Sequence, residues 1–452
     1  MCGVIGAVGL NHEKNVRDGL AAMRHRGIRE SVASYTGGTI GHVRLPIVGI
    51  EEENDQPLRR KNWIVGFVGE LLDFKDHDPG ATCDAPLAAD VWAALGPAGF
   101  RGFDGFWSIV TYDTRSSQLH ALTDYLAQKP LYYRADEHAI AVASEPDALA
   151  KLGPTTPDET YLAAVCKWGY CPQTGRTPYH QVKKMGPGEH LVMTAKGVVH
   201  SAVVDRLRPV AEGIQSLRWE IEKAVERRVL SSDVPVAALV SGGLDSAIIY
   251  TLAKKHGPVH AYHVENDELA ACLRVLSLND DVTVLDTSPD VSLDEALTFM
   301  QEPLDLGSLV PQTSLSKAIA AMGGERVCLT GDGADELFGG YRRAMLYDSQ
   351  ASDVWHELVG WHLPRLDRVM MRNRIEVRSP FLARRVAGIA LNLPYPLRRD
   401  KKVLRDLFRD ALPDGVADTP KRPLKTKAVA EDREAQSIEL VRLFREKTWP
   451  KD

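Results

Sequence analysis

The sequence predicts two domains of different class. An α+β domain built on antiparallel sheets covers residues 1–207, and an α/β domain with a parallel sheet and a helical C-terminal part covers 208–452. Three observations carry this. Short β-leaning runs fill the first part of the chain, and strands alternate with amphipathic helices from about Glu212 onward. The length, 452 residues, exceeds what one ordinary core holds.

The early strands are read from IGAVGL, GTIGHVRLPIVGI, WIVGFVGELL, WSIVTYD, QLHALTD, PLYYRA and AIAVASE, punctuated by Gly, Asp and Asn. VRDGLAAMRHR and PLAADVWAALG read as helices between them. The texture changes near SAVVDRLRP. Beyond it come a helix (IQSLRWEIEKAVERRVL), a strand (VPVAALV), a helix (SAIIYTLAKKH) and a strand (VHAYHV), an alternation that calls for a parallel sheet. After RVCLTGDGADELFGGY the chain reads as mostly helical. The stretch PKRPLKTKAVAEDREAQ reads as solvated surface. Its Lys421, Arg422, Lys425 and Lys427 also give a sharper reading, closure over a triphosphate.

Composition narrows the class. Hydrophobic residues make up 44%, charged residues 26%, and the net charge is −6, so nothing draws the chain to nucleic acid or to an anionic membrane. MCGVIGAVGL lacks the basic flank of a signal peptide, and the longest apolar runs are too short to span a bilayer. The six cysteines, Cys2, Cys83, Cys166, Cys171, Cys272 and Cys328, show no CxxC pair and no His cluster. That argues against a zinc site or disulfide framework and for a reducing, cytoplasmic compartment. A homodimer is the ordinary expectation for a soluble enzyme.

VPVAALVSGGLDSAIIY is the strongest motif. A hydrophobic strand runs into Ser241, Gly242, Gly243, Leu244, Asp245 and Ser246, then into a helix. Glycines let the backbone approach an anion closely, and the helix N-terminus offers free N–H groups. The lysine and spacing of a Walker A loop are missing. A merely capped helix start is the plain alternative, and the full six-residue match in strand–loop–helix context outweighs it. The loop resembles the SGGxDS pyrophosphate loop of N-type ATP pyrophosphatases. A second loop, GDGADELFGGY, carries Asp332, Asp335 and Glu336. Read alone, it is equally an acid-rich helix start that suits the dipole. Beside SGGLDS it becomes a site for Mg²⁺, a cation that takes oxygen ligands, with Asp245 and Asp335 as the pair.

With MCGVIG, SGGLDS and GDGADELFGGY taken together, the chain resembles the glutamine-dependent asparagine synthetases. The resemblance continues through RHRG (24–27), HVRLPIV (42–48), GE (69–70), QKPLYY (128–133), ASE (143–145), VRSPFL (377–382) and KKVLRDLF (401–408). It implies an N-terminal-nucleophile glutaminase domain, an αββα sandwich, joined to an ATP-pyrophosphatase synthetase domain by an internal ammonia tunnel. Cys2 is then the nucleophile, freed by removal of Met1, and its own amine, with a pKa near ~8, is the local base. Arg44, Ile47, Glu70 and Asp84 match glutamine-binding positions, with Arg44 on the α-carboxylate and both acids around the α-amine. Gly69 matches the backbone donor of the oxyanion hole. In the other half, ATP and Mg²⁺ are the implied cofactors. Lys401 matches the lysine near the pyrophosphate, with Lys402 adjacent as the other candidate. Asp332 stands where many members carry Glu. Thr330 and Gly331 line the nucleotide site, and Val240 and Val264 reach the adenine or belong to the core.

The chain also departs from that pattern. Val68 replaces the Asn whose side chain completes the oxyanion hole, and losing one such donor costs about 100–1000-fold in rate. HRGIRE replaces HRGPD, QEPLDLGSLVPQTSLSK differs from the substrate-proximal stretch, and the region of HVENDELAAC is shortened. Aspartate is therefore the default acceptor, with a specialised carboxylate as the alternative. Cys2 argues against a ring-closing enzyme of the β-lactam synthetase kind. A non-catalytic glutamine- or nucleotide-sensing protein is disfavoured by the intact SGGLDS, Asp335 and Lys401.

Overall fold

The computed structural model describes residues 2–264, 282–285, 291–304, 306–341, 356–420 and 433–450. Removal of Met1, most of HVENDELAAC and the basic stretch with Lys421, Arg422, Lys425 and Lys427 lie outside the described residues.

The first domain is two antiparallel sheets packed face to face. One has the order Val182–Lys184, Tyr132–Ala135, Ile140–Ala143, Gly3–Val8, Gly38–Arg44, Arg29–Tyr35. The other runs Gly197–Val203, Glu189–Thr194, Gln118–Thr123, Gly105–Asp113, Trp63–Leu71, Leu58–Arg60. Period-two alternation decides what faces what. A Cβ added to Gly6 would meet Leu119 and Val110 of the second sheet, and one added to Gly66 would meet Val4 and Ile40 of the first. Ile5 points the other way, to the helix His12–Met23, where a Cβ on Gly19 would strike its Cδ1. The helix Asp84–Leu95 covers the second sheet's outer face along Trp63–Leu71. The result is the expected αββα sandwich.

The sequence reading missed several strands at sheet edges. Arg29–Tyr35 (RESVASY) is half-exposed and polar, and Gly197–Val203 is largely exposed, so neither shows an apolar run. Conversely, the strand within GTIGHVRLPIVGI stops at Arg44, and LPIVG is loop.

The second domain has a five-stranded, wholly parallel sheet in the order Val282–Leu285, Val259–Val264, Val236–Leu239, Val327–Leu329, Glu376–Arg378. Val236–Leu239 comes first in the chain yet lies in the middle. From it the chain winds outward to one side, then returns to wind outward to the other. The topological switch point therefore falls between Val236–Leu239 and Val327–Leu329, the place where open α/β sheets bind ligands. SGGLDS follows the first of these strands and GDGADE the second. Among the described residues, no helix is long and apolar enough to cross a membrane.

Candidate active sites

Cys2 directly precedes the strand Gly3–Val8, and its side chain turns into the space between the sheets, 9% exposed. Its Sγ lies 4.0 Å from the Leu45 carbonyl, and Arg26 Nε donates to the Cys2 carbonyl at 3.0 Å. Burial pushes the thiol pKa up, while the positive chain terminus and Arg44 pull it back. Burial therefore favours the neutral thiol over the thiolate.

The strand Trp63–Leu71 carries Gly69, the expected backbone donor. Its edge partner Leu58–Arg60 pairs only as far as Val65, leaving the rest of that edge open. Along it the Phe67 N–H donates to Gln56 Oε1 at 2.7 Å and the Leu71 N–H to Asp84 Oδ2 at 2.7 Å. Gly69 lies midway, so alternation aims its N–H at the same open edge. Only glycine fits there. Its φ is +108°, and a Cβ would stand 1.9 Å from the Phe106 carbonyl oxygen. Val68 turns to the inter-sheet core, 1% exposed, in register with Ser108. Its side chain supplies no donor. His42 Nε2 donates to the Phe67 carbonyl at 3.0 Å, and burial holds this ring neutral, with its pKa down at about 4.

Carboxylates gather at the end of this strand. Burial, then Asp84 and Glu376, push Glu70 well above the carboxylate range, with Arg378 opposing. Burial lifts Asp84 to about 6 against the hydrogen bond from Leu71. Such a site gains from a bound cation, which suits an α-ammonium. Arg44 folds its guanidinium into the loop that follows it: Nη1 donates to Glu51 O at 2.7 Å and Asp55 Oδ1 at 2.8 Å, and Nη2 to the carbonyls of Val48 and Gly49. The Ile47 side chain is buried in the same loop.

The second site forms at the switch point. Gly242 has φ +83°, which lets the loop turn. Ser246 Oγ accepts from the Ser241 N–H at 3.1 Å, lies 3.0 Å from Ser241 Oγ, and donates to the Gly243 carbonyl at 3.1 Å. The helix Leu244–Ala253 starts there with Asp245 in its first turn. A Cβ on Gly331 would lie 2.8 Å from the Asp245 Cβ, so the two loops are in direct contact.

Lys401 joins them. Its Nζ is 2.5 Å from Asp245 Oδ2 and 2.6 Å from Asp335 Oδ1. Burial opposes the charge, but the two carboxylates outweigh it and hold the ammonium at about 12. Asp400 and Lys401 are consecutive left-handed residues, φ +53° and +57°, and this kink drives Lys401 inward. Lys402 is exposed and pairs with Asp406. Gly340 explains the second glycine of FGGY, since a Cβ would fall 2.0 Å from Asp335 Oδ1. Two hard carboxylates converging on one cation are a donor set that fits Mg²⁺, which keeps its other positions for water and phosphate.

The remaining predicted residues line the rim or the core. Asp332 is half-buried, and burial with Asp335 lifts its neighbour Glu336 to about 7. Val240 is buried, and its carbonyl accepts from His263 Nδ1 at 2.7 Å; Val264 ends its strand half-buried. The Thr330 N–H donates to the Arg378 carbonyl at 3.0 Å, and Thr330 Oγ1 lies 3.1 Å from Ser379 Oγ.

RHRG, QKPLYY, ASE and VRSPFL stand out in the sequence, yet nothing in it points to roles for Arg26, Lys129, Glu145, Asp367 or Arg378. These residues tie the two sites together. Arg26 donates to Glu145 Oε1 and to Asp367 Oδ2, both at 2.9 Å, and Lys129 reaches Asp367 Oδ1 at 3.3 Å. Arg378 Nη2 lies 3.7 Å from Glu70 Oε1, while its backbone carbonyl serves Thr330.

A buried thiol at the head of one antiparallel sheet, and a glycine-rich SGGLDS loop joined by a lysine to a second acidic loop at the switch point of a parallel sheet, define a two-site protein of an αββα domain and an α/β domain. Residues 1–203 match the glutamine amidotransferase domain family, and residues 216–363 and 346–444 match the asparagine synthase family. The chain belongs to the glutamine amidotransferase/asparagine synthase family. It is 26% identical over 478 residues to asparagine synthetase B [glutamine-hydrolyzing] of Escherichia coli strain K12, covering 92% of this chain and 80% of that protein. It is 22% identical over 541 residues to asparagine synthetase [glutamine-hydrolyzing] 3 of Bacillus subtilis strain 168, covering 94% and 86%. Among solved structures, glutamine phosphoribosylpyrophosphate amidotransferase from B. subtilis matches at 15% identity, 63% of this chain, 81% of that chain and a TM-score of 0.35.

Proposed function

We propose that this protein is a glutamine-dependent, AMP-forming amidotransferase, with 1–207 as the glutaminase and 208–452 as the synthetase. Cys2 attacks the glutamine amide, Gly69 N–H steadies the oxyanion, and ammonia leaves as the thioester forms. Glu70 and Asp84 receive the α-ammonium and Arg44 the α-carboxylate. At the second site the acceptor carboxylate attacks the α-phosphorus of ATP, releasing pyrophosphate, and ammonia then displaces AMP from the acyl-adenylate. The backbone of Ser241–Ser246 cradles the pyrophosphate, and Lys401 neutralises charge as it leaves. Asp332 guides the ammonia or takes the proton its nitrogen loses after attack on the acyl-adenylate. Asp245 and Asp335 would hold Mg²⁺, whose charge offsets that of the phosphates. Aspartate is the default acceptor, from the relatives' names.

The observation that supports this reading most is Lys401 gripped by Asp245 and Asp335, which lie far from it in sequence, over the SGGLDS loop. The test is pyrophosphate release with ATP, Mg²⁺ and ammonium across a panel of carboxylates beginning with aspartate. Release that depends on one acceptor supports the reading, and none across the panel overturns it. A second reading, an ammonia-dependent ligase or cyclase on a specialised carboxylate with an impaired glutaminase, is favoured by Val68, whose side chain cannot donate to the oxyanion. Turnover with ammonium but not with glutamine selects it.

A further inference from the structure

Asp233 lies in the turn between the helix Ile214–Leu230 and the strand Val236–Leu239, in the synthetase half. It nevertheless holds a loop of the thiol site at two points. Its N–H donates to the Ile47 carbonyl at 2.9 Å, and its Oδ2 accepts from the Gly49 N–H at 2.7 Å. The loop Leu45–Gly49 is a wall of the Cys2 pocket, for Leu45 supplies the carbonyl 4.0 Å from Sγ. It has no regular secondary structure to fix it. Gly49 adopts φ +55°, and a Cβ there would stand 2.6 Å from the Cys83 Cβ, so the loop is closely packed from the inside. Asp233 closes it from the outside.

The other end of this connection is the phosphate loop. From Asp233 the chain passes through Val234 and Pro235 into Val236–Leu239, and that strand delivers Ser241. The turn itself is stiff: Ser232 Oγ donates to the Val234 carbonyl at 2.8 Å, and Arg378 Nη1 donates to the Ser231 carbonyl at 3.1 Å. One short, internally bonded segment thus touches the glutamine loop at one end and carries the phosphate loop at the other.

We propose that Asp233 is a positioning residue for glutamine binding, setting the Leu45–Gly49 wall from the strand that carries the phosphate loop. The inference rests on the glutamine reading given above. It acts through the loop rather than by touching the reacting atoms, so it governs glutamine affinity more than turnover.

The test uses the full chain with Asp233→Ala and Asp233→Asn, measuring glutamate release from glutamine and Mg-ATP affinity by calorimetry. Asp233→Ala should raise the glutamine KM about fivefold, the worth of one half-buried hydrogen bond to a backbone N–H, and leave kcat within about twofold. Mg-ATP affinity should stay unchanged. Asp233→Asn keeps a side-chain acceptor for Gly49 and should restore the parental KM. A parental KM in Asp233→Ala overturns the inference, as does a joint fall in kcat and Mg-ATP affinity, which marks a merely structural role. Parental protein that releases no glutamate overturns the glutamine reading itself, and this inference with it.

Discussion

Gly69→Ala is the sharpest test of the oxyanion assignment. The added methyl would stand 1.9 Å from the Phe106 carbonyl oxygen and 2.7 Å from the Trp107 Cα. Carbon and carbonyl oxygen settle no closer than about 3.3 Å, so the strands must part locally by about 1.4 Å. They are paired continuously from Trp63↔Asp113 to Leu71↔Gly105, and that ladder resists. The backbone at φ +108° adds about 1–3 kcal/mol of strain for any residue with a Cβ. Relief comes by moving the peptide that carries the Gly69 N–H, and a misplacement of about 1 Å at a reacting centre costs about 100-fold.

The expected result is a glutaminase slowed about 100-fold, read as glutamate release. Ammonium-driven pyrophosphate release should persist, because SGGLDS, Asp335 and Lys401 belong to the other domain, built around a separate sheet. A Gly69→Ala protein that hydrolyses glutamine at the parental rate would refute the placement of the oxyanion. So would an equal loss of both activities without loss of the folded state.

Val68→Asn should speed glutamate release by about 100-fold if its amide reaches the oxyanion, and lower stability by about 1–3 kcal/mol in urea unfolding because a polar group enters a dry core. Lys401→Met removes the cation that two carboxylates share. Pyrophosphate release should vanish and stability fall by about 2 kcal/mol, less than for a fully dry pair because both acids keep some solvent contact, with Mg²⁺ recovering part of it in denaturant titration. The glutamine KM should rise as pH falls through about 6, since Asp84 takes up a proton there and no longer attracts the α-ammonium. Asp84→Asn should flatten that limb of the KM profile.

The loops of the candidate phosphate site were legible because their residues are contiguous. SGGLDS and GDGADE each put glycines and oxygen ligands within a few residues, directly after an apolar strand. The choice between Lys401 and Lys402 was not legible: it depends on two left-handed residues, a backbone state that DKK does not announce. Edge strands escaped for a related reason, since RESVASY buries too little to show a run. Glu376–Arg378, three residues with two charges, reads as no strand at all, yet it completes the parallel sheet. The links between the sites were least visible, because Arg26 and Asp367 meet only after the whole chain has folded.

Those links bear on why charge is buried at this interface. Arg26 is 1% exposed and holds the Cys2 carbonyl, Glu145 and Asp367 together. An apolar patch of equal volume would hold two domains as firmly, because desolvating such ions offsets most of their attraction. An apolar patch also tolerates sliding and rotation. A guanidinium with fixed donors to a backbone carbonyl and two carboxylates permits one arrangement. Arg378 adds a looser tie at the other end, its Nη2 3.7 Å from Glu70 Oε1. On the proposed reading the two sites pass a small, diffusible intermediate, and such sites gain little from a stronger joint. They gain from one that fixes Cys2 relative to the SGGLDS loop, and the buried, hydrogen-bonded charge of Arg26 provides that.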